Sequence, residues 1–302
     1  GGITAWLVED HNIPFTALEI QFRGGTSLEA PDKRGVVNLM TATLEEGAAN
    51  LDSRGFAEAR DALAASFSFD AGTDSVGVSA QFLTENRDQA IELLRAALVT
   101  PRFDQDAVDR VREQVLSSLR ADEKDPSTIA SERFERLAFG DHPYGSPGDG
   151  TIETVTALTR DDVVAAHKAA LARDRVFVAA AGDITAEELG VLLDRLLGDL
   201  PATGAPQLAE APWLLPPGVT VQDFPSPQST VFFGQRGIPR DHPDFFPAFV
   251  LNEMLGGGRF TARLMTEVRE KRGLTYGIGT YIVNMDQADM LLGQFSDRKS
   301  VV

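Results

Sequence analysis

Gly35-Val36-Val37-Asn38-Leu39-Met40-Thr41-Ala42-Thr43-Leu44-Glu45-Glu46-Gly47 reads as an apolar helix with a glycine at each end. Two alternating segments precede it, Ile3 to Glu9 and Phe15 to Arg23, followed by Gly-Gly-Thr-Ser-Leu-Glu-Ala-Pro at 24–31. Positions 38, 41 and 42 share one helical face, because residues three and four apart are neighbours on a helix surface. Asn38, Thr41 and Ala42 bring to that face an amide, a hydroxyl and a methyl, with no ionisable group among them. Read alone, this is an ordinary core helix.

Around it the chain alternates strands and helices. Residues 1–23 read as a hairpin turning at Asp10-His11-Asn12, with His11 a solvated turn residue. A helix is expected over about 53–65, and a second hairpin from Ser66–Phe69 and Val76–Phe82. Thr84 is placed to cap a helix bearing Ile91, Leu94 and Leu98. Asp104 opens a long helix with the apolar stripe Val108, Val111, Val115 and Leu119. A helix over Glu132 to Phe139 runs into Gly140-Asp141-His142-Pro143-Tyr144-Gly145, where His142 has no second ligand nearby in sequence and reads as structural. Thr159-Arg160-Asp161-Asp162 starts a helix reaching about Ala172, with His167 at its surface. Val176–Gly182 is a buried strand, and Thr185 caps a helix ending near Leu197.

Pro201, Pro206, Pro212, Pro216 and Pro217 mark 201–217 as a semi-extended linker. Beyond it the opening order returns. Strands at Val219–Asp223 and Ser229–Gly234 precede a Gly/Pro-bearing loop and a helix over 244–255. A helix over 261–271 and strands at Thr275–Val283 and Met290–Phe295 then follow. This is a repeat of element order rather than of residue identity. The second copy reads as truncated, and the Gly-Gly start without Met reads as a processed or trimmed end.

Composition bounds the function. With 302 residues and 43% hydrophobic content, two domains with real cores are expected. A formal net charge of −17 argues against nucleic acid, which needs clustered Lys and Arg. Zero Cys removes disulfides, thiol catalysis and Cys-based zinc sites. The four His are scattered, with no two at metal-ligand spacing, and no apolar run is long enough to span a bilayer.

The second informative stretch is Leu255-Gly256-Gly257-Gly258-Arg259-Phe260-Thr261-Ala262-Arg263-Leu264, followed by Val268-Arg269-Glu270-Lys271-Arg272-Gly273-Leu274-Thr275-Tyr276-Gly277. It lacks the Lys-Ser/Thr of a phosphate loop and the spacing of a dinucleotide fingerprint. By themselves the glycines are a flexible helix start, Arg269 a surface charge and Tyr276 half-buried strand filler.

Both stretches, and the His-Pro-Tyr-Gly turn between them, resemble the pitrilysin/insulinase family of zinc metallopeptidases, of the mitochondrial-processing-peptidase type. The family's inverted zinc motif His-x-x-Glu-His would fall on the first stretch. Aligned on Gly35 and Gly47, its residues are replaced by Asn38, Thr41 and Ala42, and its later Glu ligand by Ser118. The run Arg-Glu-Lys-Arg-Gly-Leu-x-Tyr, by contrast, is present in full. The resemblance implies an α+β fold of two homologous domains, each a mostly antiparallel sheet with helices on one face, the second truncated here. They divide as an N-terminal peptidase-like domain over 1–200, the linker 201–217 and a substrate-binding domain over 218–302. It further implies that an Arg and a Tyr of the second domain face the zinc of the first. By the family's spacing these are Arg269 and Tyr276, with Arg272 the competing choice.

The combination implies the subunit type that has lost the zinc motif, a non-catalytic, substrate-positioning subunit of a heterodimeric zinc peptidase. Arg269 and Tyr276 would complete the partner's active site, while Gly256, Gly257, Gly258 and Arg272 would help bind the peptide. The chain itself would hold no cofactor, and zinc would reside in a zinc-bearing homologous partner. The substrate would be an unfolded peptide. A homodimer of the lone chain and a bacterial periplasmic location, favoured over the cytoplasm, complete the expectation. Two readings compete: a non-enzymatic scaffold or peptide-binding protein of the same fold, and a peptidase using another metal site.

Overall fold

The structure is a computed structural model and describes residues 2–258 and 260–297. The chain forms two compact units. One runs to Leu119 and resumes at Pro147–Leu208; the other comprises Arg120–Ser146 and the chain from Ala209 onward. In chain order the elements are β1 (Thr4–Glu9), β2 (Phe15–Arg23), α1 (Val36–Ala42), β3 (Gly47–Ala48), β4 (Leu51–Asp52), α2 (Ser53–Ala62), β5 (Ser66–Ala71) and β6 (Ser75–Leu83). Next come α3 (Arg87–Val99), α4 (Gln105–Asp122), α5 (Pro126–Phe139), α6 (Ile152–Ala157), α7 (Arg160–Ala170), β7 (Val176–Gly182) and α8 (Ala186–Leu197). The last are β8 (Thr230–Arg236), α9 (Phe245–Leu255), β9 (Thr275–Asn284) and β10 (Asp289–Asp297).

The first unit is built on a five-stranded sheet of order β1-β7-β2-β6-β5. Its inner face is laid down by period-two alternation: Leu18, Ile20 and Phe22 from β2, Val78, Ala80 and Phe82 from β6, and Val176, Val178 and Ala180 from β7 are all buried. α1 packs on β5, α3 on β6, and α8 on α3, so the helices cover that one face. The fold class is therefore α+β, as expected. Three helix starts are fixed by reciprocal capping boxes, Thr151 with Thr154 at α6, Thr159 with Asp162 at α7 and Thr185 with Glu188 at α8.

Several local expectations are corrected. Residues 1–23 are not a hairpin: β7 inserts between the two strands, pairing parallel with β1 and antiparallel with β2. α1 stops at Ala42, short of Gly47. The Thr43 hydroxyl donates back to the carbonyls of Leu39 (2.8 Å) and Met40 (2.9 Å), which favours termination there. Thr84 does not cap α3; its hydroxyl donates to the Asp183 carboxylate at 2.7 Å. His167 is buried, not on the surface. Its Nε2 donates to the Leu98 carbonyl at 2.8 Å, and the Phe103 ring meets its edge, so burial lowers its pKa.

In the second unit a three-stranded antiparallel sheet has the order β8-β10-β9. That is the order β2-β6-β5 of the first unit, with α9 in the place of α1, so the repeat extends to topology. Val219–Asp223 does not form a strand; Val219 and Val221 are exposed. The first unit supplies the reason. Its opening strand β1 joins the sheet only through β7, and the described residues of the second unit hold no counterpart of β7. Likewise α1 is covered by α7, whereas α9 leaves Phe246, Val250, Leu251 and Met254 exposed.

The compact units also differ from the expected division. Pro-rich 201–217 has no regular secondary structure, yet part of it is core. Ala211 is buried with Phe134, Ala138, Phe139, Tyr144 and Met290, and Trp213 packs against this cluster. Residues 120–146 thus belong with the C-terminal unit. The His-Pro-Tyr-Gly turn has a structural role there: His142 Nδ1 accepts from the Tyr144 amide at 3.2 Å, and the Tyr144 hydroxyl accepts from the Gln287 amide at 3.0 Å.

Candidate functional site

The site on the first unit is α1 and its support. The helix begins at Gly35, whose φ of 91° is left-handed, and a Cβ there would meet the Asp149 carbonyl oxygen at 2.6 Å. The Glu29 carboxylate accepts from the amides of Gly35 (3.0 Å) and Val37 (2.6 Å), satisfying donors that a helix start leaves unpaired. It also pairs with the Arg34 guanidinium at 3.1 Å, with both side chains almost wholly buried. Burial pushes Glu29 up to about 7, against the opposing pull of the Val37 amide, Arg34 and the Gly35 amide. Sequence reading missed this cap; a Glu six residues before a Gly-initiated helix was its only signal.

On this scaffold the four positions carry no metal chemistry. Asn38 is half-buried, Ala42 is exposed, and Ser118 is exposed on α4. Thr41 is buried, and its hydroxyl donates to the Asn38 carbonyl at 3.0 Å. The two acids after the helix are already engaged, Glu45 by Arg60 and Glu46 by Arg110 and Ser53. Among the described residues no group of three or more His, Cys, Asp or Glu could hold a metal ion. An amide, a committed hydroxyl, a methyl and an exposed hydroxyl do not fit zinc, which takes imidazole, thiolate or carboxylate ligands. Replacing Asn38 and Ala42 by His and Thr41 by Glu is expected to yield no efficient peptidase. Ser118 leaves the set one ligand short, and the new Glu would have to enter a buried position. Elemental zinc analysis with a cleavage assay on the triple variant checks this; robust zinc-dependent cleavage would refute it.

The second unit presents the other motif. Gly256 is buried, its carbonyl accepting from the Thr280 amide at 2.8 Å, and a Cβ there would meet the Thr280 hydroxyl at 2.6 Å. Gly257 would clash with Glu253, while Gly258, at φ 72°, faces open space. Arg259 lies outside the described residues. The expected helix over 261–271 is realised over 263–270, where it widens into a π-helical stretch at Met265–Glu270, with the Lys271 amide donating to the Thr266 carbonyl. Such wide turns are rare and concentrate at functional sites.

This turn lies against the start of β9. The Leu274 amide donates to the Val268 carbonyl (3.1 Å), and the Ile278 amide approaches Met265 Sδ (3.4 Å). Thr275 is buried, its hydroxyl bonded to the carbonyls of Gly277 and Ser296, and strand alternation then turns Tyr276 outward, 71% exposed. The three cations of the run are treated differently. Glu267 holds Lys271 (2.6 Å) and Arg272 (3.4 Å), and its carbonyl takes Arg272 Nη1 at 2.6 Å. Arg269 has no carboxylate partner among the described residues; its Cζ lies over the Phe260 ring, 5.1 Å from the centroid. Arg269 and Tyr276 thus flank one short connection, with hydrogen-bond donors that no described residue accepts.

Comparison with known proteins bears on both units. A family model described as "Insulinase (Peptidase family M16)" matches residues 5–151, and one described as "Peptidase M16 inactive domain" matches residues 157–296. The chain is 29% identical over 276 residues to a protein of Helicobacter pylori described as "Non-peptidase homolog YmxG", covering 89% of this chain and 62% of that protein. It is 26% identical over 258 residues to an "Uncharacterized zinc protease" of Mycobacterium leprae, covering 84% of this chain and 58% of that protein. The chain therefore spans about three-fifths of these relatives' length. A crystal structure of a peptidase M16 inactive domain from Pseudomonas fluorescens superposes with a TM-score of 0.90 at 30% identity, covering 98% of this chain and 72% of that one. Matched along both units, and bearing no zinc ligand at any of the four motif positions, the chain belongs to the insulinase (M16) peptidase family.

Proposed function

We propose that this chain is the substrate-positioning subunit of a two-chain zinc peptidase acting on unfolded peptides. The observation that carries the reading is the contrast between the units. α1 offers no metal ligands, while Arg269 and Tyr276 stand at one edge of the second unit with unspent donors. A guanidinium can take a peptide carbonyl or carboxylate in a fork, and a phenol can donate to an oxyanion as it forms. Arg269, not Arg272, is the Arg of the pair, because Glu267 already occupies Arg272. The buried, tightly fitted Gly256 holds the loop on β9, and open Gly258 leaves room for a peptide backbone. The metal, and the water it activates, belong to the partner.

The test is reconstitution. The chain alone should bind no stoichiometric zinc and leave fluorescein-labelled β-casein intact. Mixed with a zinc-bearing homologue from the same organism, it should form a complex that cleaves it. About one zinc per lone chain, removed with loss of activity, would overturn the reading. The exposed apolar face of α9 favours a second reading, a non-enzymatic scaffold that buries this face in an assembly. A stable complex without cleavage would select it.

A further inference from the structure

We infer that Phe260 is a positioning residue for Arg269, setting the direction of its guanidinium fork; the inference rests on the substrate-positioning role proposed above. The two side chains lie nine positions apart, joined through Ala262 and Met265, both buried. Phe260 itself is 68% exposed. Its one described aromatic or cation contact is Arg269.

The chemistry of that contact is specific. A guanidinium over a ring is held by its charge against the ring's electrons, so no carboxylate is needed to hold it, and no described residue accepts from the Arg269 N–H groups. A carboxylate partner would occupy them. Glu267 illustrates this on the same turn, where it occupies both Lys271 and Arg272. Among the cations of the run, Arg269 is thus held by contact with a ring while keeping its hydrogen-bonding edge unspent. The π-helical turn supports this arrangement. Its wider register, with Lys271 bonded back to Thr266, displaces Arg269 from the place above Met265 that an α-helix would give it. A fork held this way loses less freedom when it takes a planar peptide carbonyl or carboxylate. The ligand class is therefore the main-chain carbonyl or C-terminal carboxylate of a peptide.

Two measurements test it. In the lone chain with isotope-labelled arginine, the Arg269 side-chain proton resonances should be shifted upfield by the ring. They should return toward random-coil positions in Phe260→Leu and stay shifted in Phe260→Trp. In the reconstituted pair cleaving fluorescein-labelled β-casein, Phe260→Leu should raise KM by roughly two- to five-fold and lower kcat, each by less than Arg269→Ala does. Phe260→Trp should restore the KM, and Phe260→Leu should add nothing in an Arg269→Ala background. If Arg269→Ala impairs cleavage while Phe260→Leu changes neither KM nor the arginine resonances, Phe260 has no positioning role and the parent reading stands. If Arg269→Ala has no effect in a pair that cleaves, the parent reading fails and takes this one with it. A pair that never cleaves overturns both.

Discussion

Tyr276→Phe is expected to lower turnover of the reconstituted pair by roughly 100- to 1000-fold, the usual loss when a preorganised oxyanion donor is removed. The substitution deletes one hydroxyl from a side chain that is 71% exposed and whose oxygen has no partner among the described residues. Folding and assembly should therefore be untouched, and a gel-filtration profile of the variant pair checks that. Because an oxyanion exists only near the transition state, the loss should appear in kcat with KM little changed. Arg269→Ala should act on both constants, since a fork on a carbonyl or carboxylate also binds the ground state. Arg272→Ala is the internal control. Its guanidinium is already spent on Glu267 and the helix carbonyl, so cleavage should change little. Full activity of both Tyr276→Phe and Arg269→Ala in a verified complex would leave the scaffold reading.

Glu29→Ala is expected to destabilise the first unit by about 3–5 kcal/mol, the range for breaking one side of a buried ion pair. The substitution strands the buried Arg34 guanidinium and removes the acceptor of the Gly35 and Val37 amides at the start of α1. Urea unfolding at pH 7 measures it; a loss under about 1 kcal/mol, the scale of an exposed pair, would show the site to be open to water. The same carboxyl gives stability a pH dependence with a definite sign. Its native pKa is raised from 4.5 to about 7, with burial the main cause. The native state therefore keeps a proton that the unfolded chain releases. The stabilisation is complete below pH 4.5 and is lost as pH rises through 7. The Glu29 contribution should fall between about pH 5 and 8, opposed by buried His167, whose lowered pKa acts with the other sign, and Glu29→Gln should make the slope of stability against pH more positive in that window.

The residues at the four aligned positions were legible without any structure, because that is a question of identity: Asn38, Thr41, Ala42 and Ser118 are not a zinc ligand set. Local alternation was equally legible. The β5–β6 hairpin and the repeated order of strand, helix and strand pair follow from side-chain periods that each segment carries in itself. Pairing across long separations was not legible. β7 enters between β1 and β2 from far downstream in the chain, and alternation records which face is buried but not which strand is the neighbour. For the same reason Val219–Asp223 looked like a strand and is not one, since strandness there depends on a partner. His167 looked superficial on a helix that places it under Phe103 and beside the Leu98 carbonyl. At the second motif, residue order alone told which groups are present, and the fold decided their use. Glu267 falls within reach of Lys271 and Arg272, while the π-helical register brings Arg269 over Phe260, because side-chain reach is set by turn geometry that residue order does not specify.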